Sequence, residues 1–259
     1  LQEDAKLQHS AIAAFNQKLG FAHTADKFWI PLMEAQEGIL FDCLRSDNSS
    51  LYAEQLTYEL PASYDFEQIR DAYEQVCRHN PLLSARIDRQ AGEYLLSIDR
   101  NAPVICTEIS GQNWDAYLQQ DFARGFDLKE GLTRIAVLPG EEHHRLVWTH
   151  HHLILDGWSL GVFSKEILKA LNKETLTEQD AFMQLACATH LHSEQGSYWA
   201  SKYIPAESSA LPPPLPSREA SSDAGYLKRT LFVPMSDFER VQEAGASLHA
   251  FCFTLWASF

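Results

Sequence analysis

Three consecutive histidines followed by an aspartate and a glycine are the residues of this sequence best suited to chemistry. His150, His151 and His152 stand together, and Asp156-Gly157 follows. An imidazole titrates near neutral pH, so it can accept or position a proton during a reaction. A nearby carboxylate can fix a local geometry or a tautomer. The run is either a site in a cleft or a set of polar residues at a strand end, and such a density of titratable groups favours a site.

The strand before this run decides where the histidine side chains point. Alternation over residues 145–150 predicts a strand that ends at the histidines. Successive side chains of a strand point to opposite faces of the sheet. We therefore expect His150 and His152 to share one face and His151 to point the other way.

A helix is predicted to follow over residues 160–171, because its apolar residues recur on one helical face. Asp156 or Ser159 is expected to cap this helix, since either side chain can accept a hydrogen bond from a backbone N–H group. Gly157 is expected to supply backbone freedom where the chain turns from strand to helix.

A metal site is a second interpretation of the histidine run. Zinc needs three or four converging ligands, and only this run supplies candidates. His143 and His144 belong to the turn before the strand and are expected to be solvated. We therefore predict that the protein holds no metal.

The rest of the chain alternates predicted strands and helices, which indicates a mixed α/β fold. A hairpin signal at residues 139–144 argues against a purely parallel sheet. The further strands are predicted at 51–60, 82–88, 93–99, 133–138 and 227–234. The further helices are predicted at 31–45, 66–79, 113–122, 178–203 and 236–246.

Composition excludes several classes of function. The chain has 259 residues and a formal net charge of −14, whereas a nucleic-acid-binding surface needs a basic stripe. Its apolar runs are too short to span a membrane. The five cysteines are scattered and form no CxxC pair, so reduced thiols and a cytoplasmic location are expected.

The sequence around the histidines resembles a known family. Residues 151–157, His-His-Leu-Ile-Leu-Asp-Gly, match the HHxxxDG motif of nonribosomal peptide synthetase condensation domains, which are related to chloramphenicol acetyltransferase. Residues 31–41 resemble the first core motif of that family, and residues 50–55 resemble the strand that follows it. Residues 126–134 resemble the segment that leads into HHxxxDG, and Tyr198-Trp199 resembles the link towards the middle of the domain.

The resemblance implies a fold and an activity. The fold would be a chloramphenicol acetyltransferase-like α/β sandwich lobe, with a mixed sheet flanked by helices. The activity would be acyl transfer that forms a peptide bond between the thioester on an upstream carrier protein and the amine on a downstream carrier protein. The substrates would arrive on phosphopantetheine arms, so no cofactor of its own is expected. The expected partners are these two carriers and the adjacent synthetase domains, with neither nucleic acid nor membrane.

The resemblance also carries residue roles. His152 would be the catalytic histidine, which orients or deprotonates the attacking amine or stabilises the tetrahedral intermediate. His151 would pack or hydrogen-bond locally, and Gly157 would leave room near His152. Trp158 and Ser159 continue the motif and are candidate substrate-binding residues.

Asp156 would pair with an arginine if the family pattern held. That arginine belongs to a second motif that usually reads RHxxLRxxF, but Ser84 stands at its place in this sequence. Arg78, Arg86 and Arg134 are the candidate replacements, because a buried carboxylate without a partner would be costly.

The resemblance extends to a subtype and to a division of the chain. The motifs resemble the subtype that accepts a donor ending in a D-residue. Residues 1–25 would form an N-terminal helix or linker, 26–204 the first lobe, 205–225 a Pro/Ser-rich loop and 226–259 the start of the crossing into a second lobe. The apolar run at 247–259 leads us to expect a truncated piece that lacks the C-terminal lobe and is folded but inactive alone.

Two other functions stay open. The chain could be a standalone carrier-dependent N- or O-acyltransferase of the same superfamily. It could also be a non-catalytic relative that recruits a partner through its surface.

Overall fold

The computed structural model describes residues 11–90, 92–111, 113–191, 235–243, 245 and 247–257. The chain divides into two compact units, residues 1–203 and 204–259. The loop predicted at 205–225, the strand predicted at 227–234 and the end of the helix predicted at 178–203 lie outside the described residues.

The first unit alternates helices and strands. Its helices are α1 (Ala11–Lys18), α2 (Glu34–Arg45), α3 (Phe66–His79), α4 (Trp114–Arg124), α5 (Gly157–Leu171) and α6 (Ala181–Leu191), with a 3₁₀ helix at Pro81–Ser84. Its strands are β1 (Lys27–Pro31), β2 (Ala53–Pro61), β3 (Arg86–Gln90), β4 (Glu93–Asp99), β5 (Cys106–Glu108), β6 (Thr133–Leu138) and β7 (His143–His151). The second unit contains α7 (Met235–Glu243) and α8 (Leu248–Ala257).

The strands form two sheets. One is antiparallel with the order β1-β4-β3. The other has the order β2-β7-β6-β5, in which β5 runs parallel to β6 and the other neighbours are antiparallel. The predicted mixed α/β fold, with sheets flanked by helices, is therefore confirmed.

Helix α3 shows how local sequence sets the boundaries. Asp65 caps its first turn by accepting a hydrogen bond from the backbone N–H of Gln68, whose side chain returns to the backbone N–H of Asp65. Pro81 follows its end and begins the 3₁₀ helix, which is why the strand predicted at 82–88 starts only at Arg86. The short strands β1 and β5 were not predicted, because neither shows a clear alternation.

The second sheet is covered on both faces, which makes β7 a buried central strand. Trp148 points to one face, where its ring stacks on Phe163 of α5 with 3.5 Å between the ring centroids. Tyr73 of α3 packs edge-on against the same phenyl ring. Val147 points to the other face, in a small cluster against Leu118 and other residues of α4. Burial on both faces holds the end of β7 rigidly.

Candidate active site

The antiparallel pairing of β2 and β7 brings the histidines next to a carboxylate. His150 lies opposite Glu54 in the register, and His151 lies opposite Ala53. The backbone N–H of His152 donates to the carbonyl oxygen of Tyr52 at 2.9 Å and so continues the pairing by one residue. His150 and His152 share a face, as their spacing predicts, because both approach the carboxylate of Glu54.

His150 is a buried member of the site. Its ring stacks on Trp148 at 4.6 Å between centroids, and its Nε2 lies 3.0 Å from Oε2 of Glu54. Burial lowers the pKa of His150, while the charge of Glu54 opposes that shift and His152 adds to it. The imidazole is therefore neutral at pH 7 and donates its single N–H from Nε2.

His151 lies on the opposite face of the strand and is also buried. Its Nδ1 accepts a hydrogen bond of 3.0 Å from the backbone N–H of Leu153, and its Nε2 lies 3.6 Å from Sγ of Cys43. Burial, with smaller contributions from the neighbouring histidines, lowers the pKa of His151 to about 4. The neutral ring thus fixes the first residues of the loop that leaves the strand.

His152 is the histidine that remains accessible, with 37% of its side chain exposed. Its Nδ1 is buried and lies 3.7 Å from Oε1 of Glu54. Because Nδ1 is enclosed, Nε2 is the ring nitrogen that a substrate could reach. This arrangement suits a general base or a hydrogen-bond donor that acts through Nε2.

His152 forms part of the wall of a cleft of about 440 Å³ in the first unit. The other walls come from the start of α2, the 3₁₀ helix, α5 and α6. Apolar side chains predominate among the lining residues, which include Met33, Ile39, Leu82, Ile154, Val162, Phe182 and Met183. A single accessible imidazole in an apolar cleft is the pattern of a binding or catalytic site.

Gln36 supports the loop behind this cleft, although the sequence did not indicate that role. Its buried side chain donates from Nε2 to the carbonyl oxygen of Leu153 at 2.8 Å. Its Oε1 accepts from the backbone N–H of Met33 at 2.9 Å, which caps the first turn of α2. The fold thus ties the start of α2 to the residue after His152.

Asp156 caps helix α5 and does not pair with an arginine among the described residues. Its Oδ1 accepts from the backbone N–H of Ser159 at 2.9 Å and from the hydroxyl of Ser159 at 2.7 Å. These two bonds lower the pKa of Asp156. Capping is the role predicted from the local sequence, and it starts the helix at Gly157, three residues earlier than the predicted Leu160.

The expected arginine partners of Asp156 were wrong, because each candidate lies elsewhere. Arg134 is buried and donates to Oδ1 of Asp121 at 2.6 Å. Arg78 pairs with Glu74 one helical turn away, and Arg86 lies on β3. Ser84, which stands at the place of the family's arginine, donates its hydroxyl hydrogen to the carbonyl oxygen of Pro81 at 2.8 Å. An exposed capping carboxylate needs no buried countercharge.

The roles expected for Gly157 were also wrong. Its φ is not positive, and a Cβ atom at this position would meet nothing within 4 Å. The glycine therefore supplies neither a left-handed turn nor needed space beside His152. Trp158 lines the rim of the cleft with 86% of its surface exposed, and Ser159 lies beside it.

The turn histidines and the metal interpretation have a structural outcome as well. His144 is only half-exposed, because its Nε2 lies 2.7 Å from the carbonyl oxygen of Tyr64, whereas His143 is exposed. Within the part of the chain that the structure describes, no three histidine, cysteine or acidic side chains converge as metal ligands. No helix in that part is long and apolar enough to cross a membrane.

Comparisons with known proteins agree on one family. A family model described as a condensation domain matches residues 28–253. A plipastatin synthase of Bacillus subtilis (strain 168) is 28% identical over 253 residues, which are 87% of this chain and 10% of that protein. Bacitracin synthase 1 of Bacillus licheniformis is 27% identical over 155 residues, which are 55% of this chain and 3% of that protein. The chain thus spans a small part of these relatives.

Solved structures show the same fold. The condensation domain of the Monacolin K polyketide synthase MokA superposes with a TM-score of 0.63 at 16% identity, over 85% of this chain and 56% of that chain. This likeness concerns the fold alone. Since the family model covers most of the sequence and His152 of the HHxxxDG motif lines a cleft, the chain belongs to the condensation domain family.

Proposed function

We propose that this chain forms peptide bonds as part of a nonribosomal peptide synthetase. It would transfer the aminoacyl or peptidyl group of a thioester on an upstream carrier protein to the amine of an aminoacyl group on a downstream carrier. The observation that carries the proposal is His152, whose Nδ1 is enclosed and whose ring lines the cleft of a condensation domain.

The proposed reaction needs one proton to move. The nitrogen of the acceptor amine attacks the thioester carbon and forms the C–N bond, and Nε2 of His152 accepts the proton that this nitrogen loses. The tetrahedral intermediate then expels the sulfur, the C–S bond breaks, and the proton passes to the thiolate. Holding two tethered substrates together in the cleft supplies a further part of the acceleration.

The proposed partners follow from this reaction. They are the donor and acceptor carrier proteins, the neighbouring synthetase domains and a C-terminal lobe. Both substrates would arrive on phosphopantetheine arms, so the domain would need no cofactor of its own. The cytoplasm is the proposed compartment, where the five free cysteines would stay reduced.

We propose further that the donor ends in a D-residue, on the resemblance of residues 36–41 and 52–55 to that subtype. The test is a competition between donor carriers loaded with the D- and L-epimer of one dipeptide, measured in the complete synthetase. We expect faster transfer of the D-epimer. Equal rates or a preference for the L-epimer would contradict the subtype and leave the condensation reaction itself intact.

The experiment for the function itself supplies loaded donor and acceptor carriers to the complete synthetase and detects the dipeptidyl product by mass spectrometry. We expect product on the acceptor carrier, and none with an acceptor whose amine is acetylated. Transfer to a free amine or alcohol in place of the carrier-bound amine would favour a standalone acyltransferase. Absence of any transfer would favour a recruitment domain and contradict the proposal.

A further inference from the structure

We propose that Glu54 is a positioning residue that holds the proton of His152 on Nδ1 and thereby leaves the lone pair of Nε2 facing the cleft. The inference rests on the proposed function, because it assigns a task within the same site. Glu54 lies on β2, outside the HHxxxDG motif, and reaches His152 across the pairing of β2 with β7.

The first step of the argument is that one carboxylate faces two imidazoles. Oε2 of Glu54 lies 3.0 Å from Nε2 of His150, and Oε1 lies 3.7 Å from Nδ1 of His152. Each oxygen thus has its own imidazole. The register of β2 against β7 places Glu54 directly opposite His150, so this geometry follows from the sheet and not from a flexible loop.

The second step concerns hydrogen-bond roles. An ionised carboxylate can only accept hydrogen bonds, so each nitrogen that faces it is favoured as an N–H donor. For His152 this nitrogen is Nδ1, and a neutral ring with its proton there carries its lone pair on Nε2. The same logic underlies carboxylate–histidine pairs in which the carboxylate orients a catalytic imidazole.

The third step is that nothing else holds Nδ1 of His152. The atom is buried, and it has no hydrogen-bond partner among the described residues. A buried N–H group without a partner is costly. A movement of about 0.7 Å would bring Glu54 to the usual N–H···O distance of about 3.0 Å, and such contacts often tighten when substrate binds.

The direct test is the tautomer of His152, read from imidazole ¹⁵N and ¹³C NMR shifts in the histidine-labelled 259-residue chain. We expect the Nδ1–H form in the parent and a shift towards the Nε2–H form in Glu54→Ala, which removes both acceptor oxygens. Glu59→Ala is the matched control, because Glu59 is an exposed glutamate on the same strand. It should leave the His152 signals unchanged.

Two results of the NMR experiment would overturn the inference. One is an Nε2–H tautomer of His152 in the parent chain. The other is a tautomer that does not change in a folded Glu54→Ala variant. Should Glu54→Ala fail to fold, Glu54→Gln keeps the side-chain volume and removes one of the two acceptor oxygens. The parent tautomer then still decides the question.

A kinetic test in the complete synthetase separates positioning from binding. We expect Glu54→Gln to lower kcat by about 10- to 100-fold with little change in KM for either carrier. A change in KM alone would contradict the assignment. If His152→Ala kept the parental rate, the proposed function would fail. If only the Glu54 variants were silent, the function would stand and this inference would fail.

Discussion

Gln36 donates a hydrogen bond of 2.8 Å from Nε2 to the carbonyl oxygen of Leu153, which joins the start of α2 to the residue that follows His152. The two residues are 117 positions apart in sequence. The bond is buried, so it excludes water and holds the loop at one position. The loop that carries the motif is thus supported from outside the motif.

We expect Gln36→Ala to lower the free energy of unfolding by about 1–3 kcal/mol, because it leaves the buried carbonyl of Leu153 without its partner. Urea unfolding measures this difference. Gln17→Ala is the control, since Gln17 is exposed on helix α1, and it should stay within about 0.5 kcal/mol of the parent. Equal effects of the two substitutions would show that the Gln36 bond is not formed in solution.

Replacement of Asp156 tests its role as a helix cap. Asn caps as well as Asp does, so Asp156→Asn should cost little, whereas Asp156→Ala should cost about 1 kcal/mol. Hydrogen bonds from Ser159 lower the pKa of Asp156 in the folded chain. Its carboxylate therefore contributes stability above the unfolded pKa, and this contribution is lost as pH falls through the folded pKa.

The measurement is urea unfolding of the parent, Asp156→Asn and Asp156→Ala at several acidic pH values. The Asn variant should lose less stability than the parent as the pH falls. A large loss with Asn at neutral pH would mean that the negative charge itself is needed, as it would be in a pair with an arginine.

The buried pair of Arg134 and Asp121 should dominate the stability of the region between α4 and the sheet. Arg134 also donates to the carbonyl oxygens of Gly125 and Asp121. Arg134→Ala is expected to cost about 3–5 kcal/mol, because the buried carboxylate of Asp121 loses its countercharge. Arg78→Ala removes an exposed pair and should change stability by no more than about 1 kcal/mol.

A double-mutant cycle shows whether the two residues act together. We expect Asp121→Ala combined with Arg134→Ala to cost less than the sum of the single changes. Additive losses in urea unfolding would indicate that the two side chains do not interact in solution.

His151 should make the folded chain sensitive to mild acid. Burial lowers its pKa from 6.5 to about 4, so between these values the unfolded chain binds a proton that the folded chain does not. Stability due to this residue is therefore lost as pH falls below about 6.5. We expect the fall in unfolding free energy between pH 7 and pH 5 to be smaller in His151→Gln than in the parent.

The matched control is His143→Gln, which removes an exposed histidine from the same strand. It should keep the parental dependence on pH. If His151→Gln kept the full acid sensitivity as well, His151 would not be the neutral, buried group that the structure shows.

Local sequence predicted what local physics controls. Periodicity and a capping box gave helix α3, and strand alternation placed His150 and His152 on one face. The Asp156 cap lies within three residues of Ser159 and was readable as such, whereas the arginine partner taken from the family pattern was wrong. Glu54 and Gln36 were missed because their contacts depend on strand register and helix packing, which a single sequence does not encode locally.

The most direct measurement is the single-turnover rate of peptide-bond formation in the complete synthetase, with both carriers loaded and the reaction quenched on the millisecond scale. His152→Ala should slow this step by about 10²- to 10⁴-fold, the contribution typical of a general base. His143→Ala, which changes an exposed histidine of the same strand, should keep the parental rate. A parental rate in His152→Ala would contradict the assignment of His152 as the catalytic residue.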